Sequence, residues 1–265
     1  MATMKKNVLE RMGASVLKRL SDMIYSLGFF LEIIKEMLLF VRRRQAGYRV
    51  LTMQILFTGV EALPVIGILA VGLGAVIIVQ GQSLLPQFGQ GQLIYVILVT
   101  VITRELGPIL TAFIVTARSG TAVATELGNM VVNHEIEAYM ASGINPIAYL
   151  AVPRFVGVTL ATVLLNLYFN VFGLFGSFIV TQFLRPIAFA EYFRGLLAAM
   201  TPTDVIASIV KAVVMGAIVA ATSIYYGFRV ERASTEVPVK AIRAVGTGFV
   251  LAILANAVIT VVYYV

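Results

Sequence analysis

From Ala62 to Thr103 the chain carries no charged side chain. The hydrocarbon core of a bilayer takes about 20 apolar residues of helix, so this one stretch is long enough for nearly two crossings. A soluble domain could not cover such a segment with polar surface. Of the 265 residues, 60% are hydrophobic and 12% are charged, against about 25% charged in ordinary globular domains. The bilayer is therefore the solvent, and only structures that satisfy their own backbone groups can cross it.

Gln80-Gly81-Gln82-Ser83 through Gln90-Gly91-Gln92, with Pro86 between them, breaks the first apolar stretch in two. Spans are expected near 60–80, 93–117, 155–182, 205–228 (interrupted only by Lys211) and 245–265. With the N-terminus inside, the cytoplasmic segments 1–59, 118–154 and 229–244 carry ten, two and four Lys or Arg residues. The outer loops 81–92 and 183–204 carry none and two. That asymmetry predicts a cytoplasmic N-terminus and an external C-terminus.

Half of the twenty Lys and Arg residues precede residue 50, including Arg42-Arg43-Arg44, which reads as a cytoplasmic flank rather than a nucleic-acid surface. A long amphipathic region precedes the first apolar stretch, which argues against a cleaved signal peptide. Between Asp22 and Arg44, apolar Leu27, Phe30, Leu31, Ile34, Leu38 and Val41 recur at three-four spacing, with Glu32, Lys35 and Glu36 on other faces. This pattern predicts a helix lying in the membrane interface, or alternatively one packed on another subunit. The expected fold is all-α and integral to the membrane: an N-terminal basic and amphipathic interfacial region over 1–50, then a domain of five transmembrane helices over 51–265. Gly67, Gly72, Gly74, Gly173 and Gly176 fall within spans, where small residues allow close helix approach.

Arg104 and Glu105 lie near the middle of the second span, before Gly107-Pro108. An ion at the bilayer centre costs at least about 2.5–3.5 kcal/mol on insertion scales, so both must face protein, water or a ligand headgroup. Neighbouring residues point about 100° apart on a helix, so these two do not satisfy each other alone. Two readings stand: a polar patch in a lipid-handling cavity, or an intramembrane ion pair with Lys211 that fixes helix positions. Pro108 removes a backbone hydrogen bond and is expected to kink the helix beside that patch.

In the segment 118–154, Asn133 is expected to cap a short helix starting at His134. Glu135 and Glu137 occupy its first turn, and Gly143 and Pro146 end it. Such a helix suits docking into another protein's groove, though an ordinary connection would look the same. His134 is the only histidine and the chain has no cysteine, so no metal-ligand set and no Ser-His-Asp arrangement is evident. No nucleotide-binding loop is present either, so any ATP used with its Mg must be bound by a partner chain.

Five motifs in fixed order, Thr103-Arg104-Glu105-Leu106-Gly107-Pro108, Ala117-Arg118-Ser119-Gly120, Glu126-Leu127-Gly128-Asn129-Met130, Glu135-Ile136-Glu137-Ala138 and Val152-Pro153-Arg154, resemble the MlaE (YrbE-type) permease family. The match is specific over roughly 100–155 and looser from about 45 to the C-terminus. The chain departs from the family at His134-Glu135-Ile136-Glu137, where relatives often read Glu-Gln-Ile-Asp. The resemblance implies an ABC-type permease acting as a homodimer in a bacterial inner membrane, with plastid relatives. It implies a cytoplasmic ABC ATPase, a periplasmic MCE-domain protein and, in some systems, a STAS-domain protein as partners. The implied cargo is phospholipid moved between inner and outer membranes, or other lipids, sterols included, in relatives from mycolate-bearing bacteria.

On these grounds Arg104, Glu105 and Lys211 are expected around a lipid-binding cavity, biased toward an anionic headgroup. Asn133, Glu135, Glu137 and Tyr139 are expected to couple the permease to its ATPase. An intramembrane enzyme would need a nucleophile with a base in reach, for which one loop histidine offers little. A purely structural anchor would leave the midspan charges without a reason.

Overall fold

The computed structural model describes residues 28–38, 48–84, 93–184, 186–231 and 233–264, and among them all regular structure is helical. Helix α1 covers 28–38. The first span is α2 (Tyr48–Gly59) continued through a short 3-10 turn into α3 (Leu63–Leu84). The second strings α4 (Leu93–Leu98), a π-helical stretch (Val99–Leu106), α5 (Gly107–Val115), a π-helical turn (Thr116–Gly120) and α6 (Thr121–Val132) into one continuous rod. After α7 (Glu135–Ala141), a third π-helical turn (Ile147–Ala151) opens α8 (Val152–Leu184). Then come α9 (Phe189–Ala199), α10 (Pro202–Phe228) and α11 (Glu236–Tyr264).

Five of these units are long and apolar enough to cross a membrane: Val50–Leu84, Leu93–Val132, Ile147–Leu184, Pro202–Phe228 and Glu236–Tyr263. They match the five expected spans, but each helix overruns the apolar run that marked it. The second, at 40 residues, is about 60 Å long, roughly twice the hydrocarbon thickness. The excess is α6, held against the bundle because Gly128 lets Val230 and Val237 approach its backbone and Gly227 lets Leu127 and Ala124 approach that of α10. The polar break at 85–92 lies outside the described residues.

Helix α8 is the hub, packed on α2, α3 and α10. Its contact with α3 is backbone to backbone. A Cβ on Gly74 would collide with the carbonyl oxygen of Gly173, and one on Gly176 would reach Val71. Of the glycines marked in the sequence, Gly67 faces the Tyr168 hydroxyl, whereas Gly72 faces open space. Close approach through small residues supplies the dispersion contact that lipid cannot provide as a hydrophobic drive.

The amphipathic helix exists over the described part, 28–38, but its inward face is not the one expected. Ile33 is sealed, and Phe29, Phe30 and Met37 pack on the bundle, with Phe29 edge-on to Tyr225 and Phe228 and Phe30 edge-on to Phe155. Leu31 and Leu38, assigned to the same stripe from spacing, are exposed. The helix thus carries apolar residues on two faces, one for the bundle and one for the surroundings. Leu27 and Val41 lie outside the described residues. The 183–204 segment, expected as a plain loop, contains α9. Tyr192 and Leu196 bury one face of it, and Tyr192 shares a 2.7 Å hydroxyl contact with Ser177. Burial pushes the Tyr192 phenol up to about 12.

Candidate functional site

Helices α4 and α10 enter the bundle from the same end and run parallel, since spans alternate in direction. Side chains on a helix lean toward its N-terminus, so Arg104 and Lys211 both reach back toward that end. Counting from Leu93 and Pro202, they lie about 17 Å and about 14 Å along their helices. Sequence position alone separates them by more than a hundred residues; the packing of α10 against the π-helical stretch brings them together.

Lys211 is fully buried and its ammonium spends all three donors. It gives hydrogen bonds to the main-chain oxygen of Arg104 at 2.7 Å, to Glu105 Oε1 at 3.0 Å and to Thr260 Oγ1 at 2.7 Å. The first bond has a local cause. In an α-helix the carbonyl of residue 104 would accept from the N–H of residue 108, and proline has none. Lys211 gives that carbonyl a donor from a neighbouring helix, one of the ways in which membrane helices absorb proline. Pro108 itself begins α5, where the backbone returns from π to α register, and the helix continues through it.

Glu105 is held by three donors from two helices: Lys211, Thr260 at 3.1 Å and Asn256 Nδ2 at 2.9 Å. Arg104 goes elsewhere. Its Nε stands 2.7 Å from Asp204 Oδ1, while Asp204 Oδ2 accepts the N–H of Thr201 at 2.8 Å and closes a capping box on α10. One carboxylate therefore both caps a helix and neutralises a cation. Asp204 was not among the expected site residues. Its signal was Thr201-Pro202-Thr203-Asp204 before an apolar run, a helix-start pattern that marks a cap without revealing its partner.

A second layer of polar side chains lies alongside. Asn166 and Asn170, one turn apart on α8, both donate to Ser208 Oγ of α10, at 3.0 and 3.2 Å. Their carbonyl oxygens face Gly107, where an added Cβ would come within 2.6 Å of Asn170 and 2.8 Å of the Ile102 carbonyl. Gly107 is thus required where the π stretch ends. Residues 166, 170 and 208 escaped notice because amides and hydroxyls raise no charge signal.

Burial divides the four charged residues: Lys211 and Asp204, 0% and 1% exposed, are sealed between helices, whereas Arg104 and Glu105 keep 24% and 33% of their side chains uncovered. The expected basic excess also disappears. Arg104 and Lys211 against Glu105 and Asp204 is two positive charges against two negative, net zero.

At the far end of the second span two more ion pairs join elements. Arg118 binds both the carboxylate of Glu61, at 2.7 Å, and its main-chain oxygen, tying the π-helical turn Thr116–Gly120 to the turn between α2 and α3. Arg154, nearly sealed, reaches Glu126 Oε1 at 2.6 Å and the Leu150 carbonyl at 3.0 Å. It therefore ties together the two stems that flank α7. In α7 no residue is buried. Asn133 ends α6 rather than capping α7. The cap position is His134, in left-handed backbone at φ 58°, with its ring 3.0 Å from Glu137 Oε2. Asn133 is still bound to α6 through its N–H to the Asn129 carbonyl at 2.9 Å, so the turn into α7 falls one residue later. Glu135 and Glu137 are exposed as expected, whereas Tyr139 is half-buried against Tyr149. Met140 and Ile144 are the exposed apolar side chains beside them.

Comparison with known proteins agrees with this architecture. The profile of the family described as permease MlaE matches residues 51–262. A probable ABC transporter permease protein of Rickettsia bellii is 27% identical over 97% of this chain and 99% of its own length. The chloroplastic protein trigalactosyldiacylglycerol 1 of Arabidopsis thaliana is 27% identical over 74% of this chain and 56% of its own. The intermembrane phospholipid transport system permease protein MlaE of Haemophilus influenzae is 26% identical over 50% of this chain and 51% of its own.

Proposed function

The chain belongs to the MlaE permease family, and from that membership we propose that it moves phospholipid between the membrane it spans and an MCE-domain partner. It is a multi-pass permease of the ABC transporter class. The observation that carries the lipid reading is the ionic group at midspan, buried on one side through Lys211 and Asp204 and open on the other through Arg104 and Glu105. Charges at that depth are costly, and a purely structural lock would gain nothing from leaving half of each pair uncovered. The Haemophilus relative's name, a phospholipid transport permease, supports the same cargo.

In this reading ATP is bound and hydrolysed by a cytoplasmic ATPase docked on α7, and two copies of the chain work as a homodimer. The N-terminus faces the cytoplasm of a bacterial inner membrane, the MCE protein docks at the α9 end, and a STAS-domain subunit joins in some systems. The broad apolar surface of α11, with Ile242, Val250, Leu254 and Val262 exposed, suits lipid or a second copy.

The test is the complex purified with its ATPase and native lipid. Arg104→Gln should assemble normally, retain several-fold less phospholipid and fail in lipid transfer to the MCE partner. Assembled complexes of this variant with normal lipid content and normal transfer would overturn the reading.

A further inference from the structure

The midspan group is electrically balanced, and its arrangement is specific. Each sealed member is paired with a partly open one, Lys211 with Glu105 and Asp204 with Arg104. The partly open members are thus one guanidinium and one carboxylate from consecutive residues, each already paired with a buried counter-charge. Adding a headgroup of net charge −1 leaves one charge unmatched where water is scarce, the situation in which ion burial is most costly. Adding a headgroup that carries one phosphate and one ammonium leaves the sum at zero.

We infer that this site selects zwitterionic phospholipids whose headgroup joins a phosphate to a primary ammonium, the phosphate against Arg104 and the ammonium against Glu105. The inference rests on the proposal that this group receives lipid headgroups. Planar guanidinium is well matched to phosphate oxygens. Glu105 has room for a further donor. A carboxylate offers about four acceptor positions; its donors are Lys211, Asn256 and the single Thr260 hydroxyl, which is shared between the two oxygens at 3.1 and 3.4 Å and can fill only one of them. A quaternary ammonium has no N–H to give, so choline lipids forfeit that bond and rank below ethanolamine lipids. Glycerol headgroups bring the phosphate without the compensating cation and rank lowest.

The test uses the purified full-length permease equilibrated with vesicles of phosphatidylethanolamine, phosphatidylcholine and phosphatidylglycerol in equal amounts with identical acyl chains. Retained lipid is counted by native mass spectrometry. Wild type should retain the ethanolamine lipid over the glycerol lipid by about tenfold, a difference of about 1.4 kcal/mol. Glu105→Gln, isosteric and giving the group a net charge of +1, should bring that ratio to about one or invert it. Asp204→Asn makes the same charge change at a sealed residue, and it should shift the ratio in the same direction. Equal or preferred retention of the glycerol lipid by wild type, or an unchanged ratio in both variants, would overturn the selectivity. If no lipid of any class is retained by wild type, the headgroup site itself falls, and the selectivity with it.

Discussion

The ammonium of Lys211 donates to the main-chain oxygen of Arg104 at 2.7 Å, taking the carbonyl that Pro108 cannot serve. A basic side chain on the fourth span thus binds the backbone of the second, at the residue whose own side chain is 24% exposed. Removing the lysine should cost more than an ion pair, because it also takes a donor from a main-chain carbonyl and from Thr260.

Lys211→Met is accordingly expected to lower stability by about 3–5 kcal/mol, the range for breaking a buried pair from one side. Thermal unfolding in detergent with added lipid measures it. Pro108→Ala restores an N–H that can reach the Arg104 carbonyl. The double variant should therefore be more stable than the sum of the two single losses predicts, by about 1 kcal/mol. Strict additivity would dissociate the proline from the lysine.

Gly72 and Gly74 stand two residues apart on α3, about 200° around the helix, and differ in what they face. Gly74 lies against the Gly173 carbonyl, and Gly72 faces open space. Gly74→Ala should prevent α3 from seating on α8 and remove most folded protein from the membrane fraction. Gly72→Ala should be neutral or stabilising by a few tenths of a kcal/mol, since alanine is the better helix former. Size-exclusion profiles of the two variants give the comparison.

Helix α7 should behave as a docking element whose contact is mixed rather than purely acidic. Glu135→Lys with Glu137→Lys should weaken co-purification of the ATPase and reduce lipid-stimulated hydrolysis at least several-fold. Met140→Asp with Ile144→Asp should do the same, because those side chains are the exposed apolar part. Tyr139→Phe should leave docking intact, since its ring already packs on Tyr149. Insertion of the permease, checked in membranes, should be unaffected in all three.

The chain has no cysteine, so single cysteines report topology directly. Exposed Ser142 and Ser234, replaced singly by Cys, should react with an impermeant maleimide from one side of the membrane, and exposed Ala190 from the other. The pattern tests the orientation read from the basic-residue asymmetry. Labelling of Ala190→Cys from the same side as Ser142→Cys would refute five alternating crossings.

Charge-free runs made the five spans legible, because burying an ion in lipid is so unfavourable that its absence is a reliable mark. The same rule singled out Arg104, Glu105 and Lys211 as exceptions needing partners. It could not name the partners. Asp204 looked like a helix cap, and Asn166, Asn170 and Ser208 carried no charge at all, yet they complete the site from α8 and α10. The outward reach of α6, the helical form of 189–199 and the inward face of 28–38 were likewise hidden. Each depends on which neighbour covers an apolar residue, and periodicity records only that something does. Sequence alone therefore determined how many helices cross the membrane and which residues could not lie in lipid. Only the tertiary structure decided which of those residues are sealed and which stay open, because exposure belongs to the packing of four helices and to no single segment.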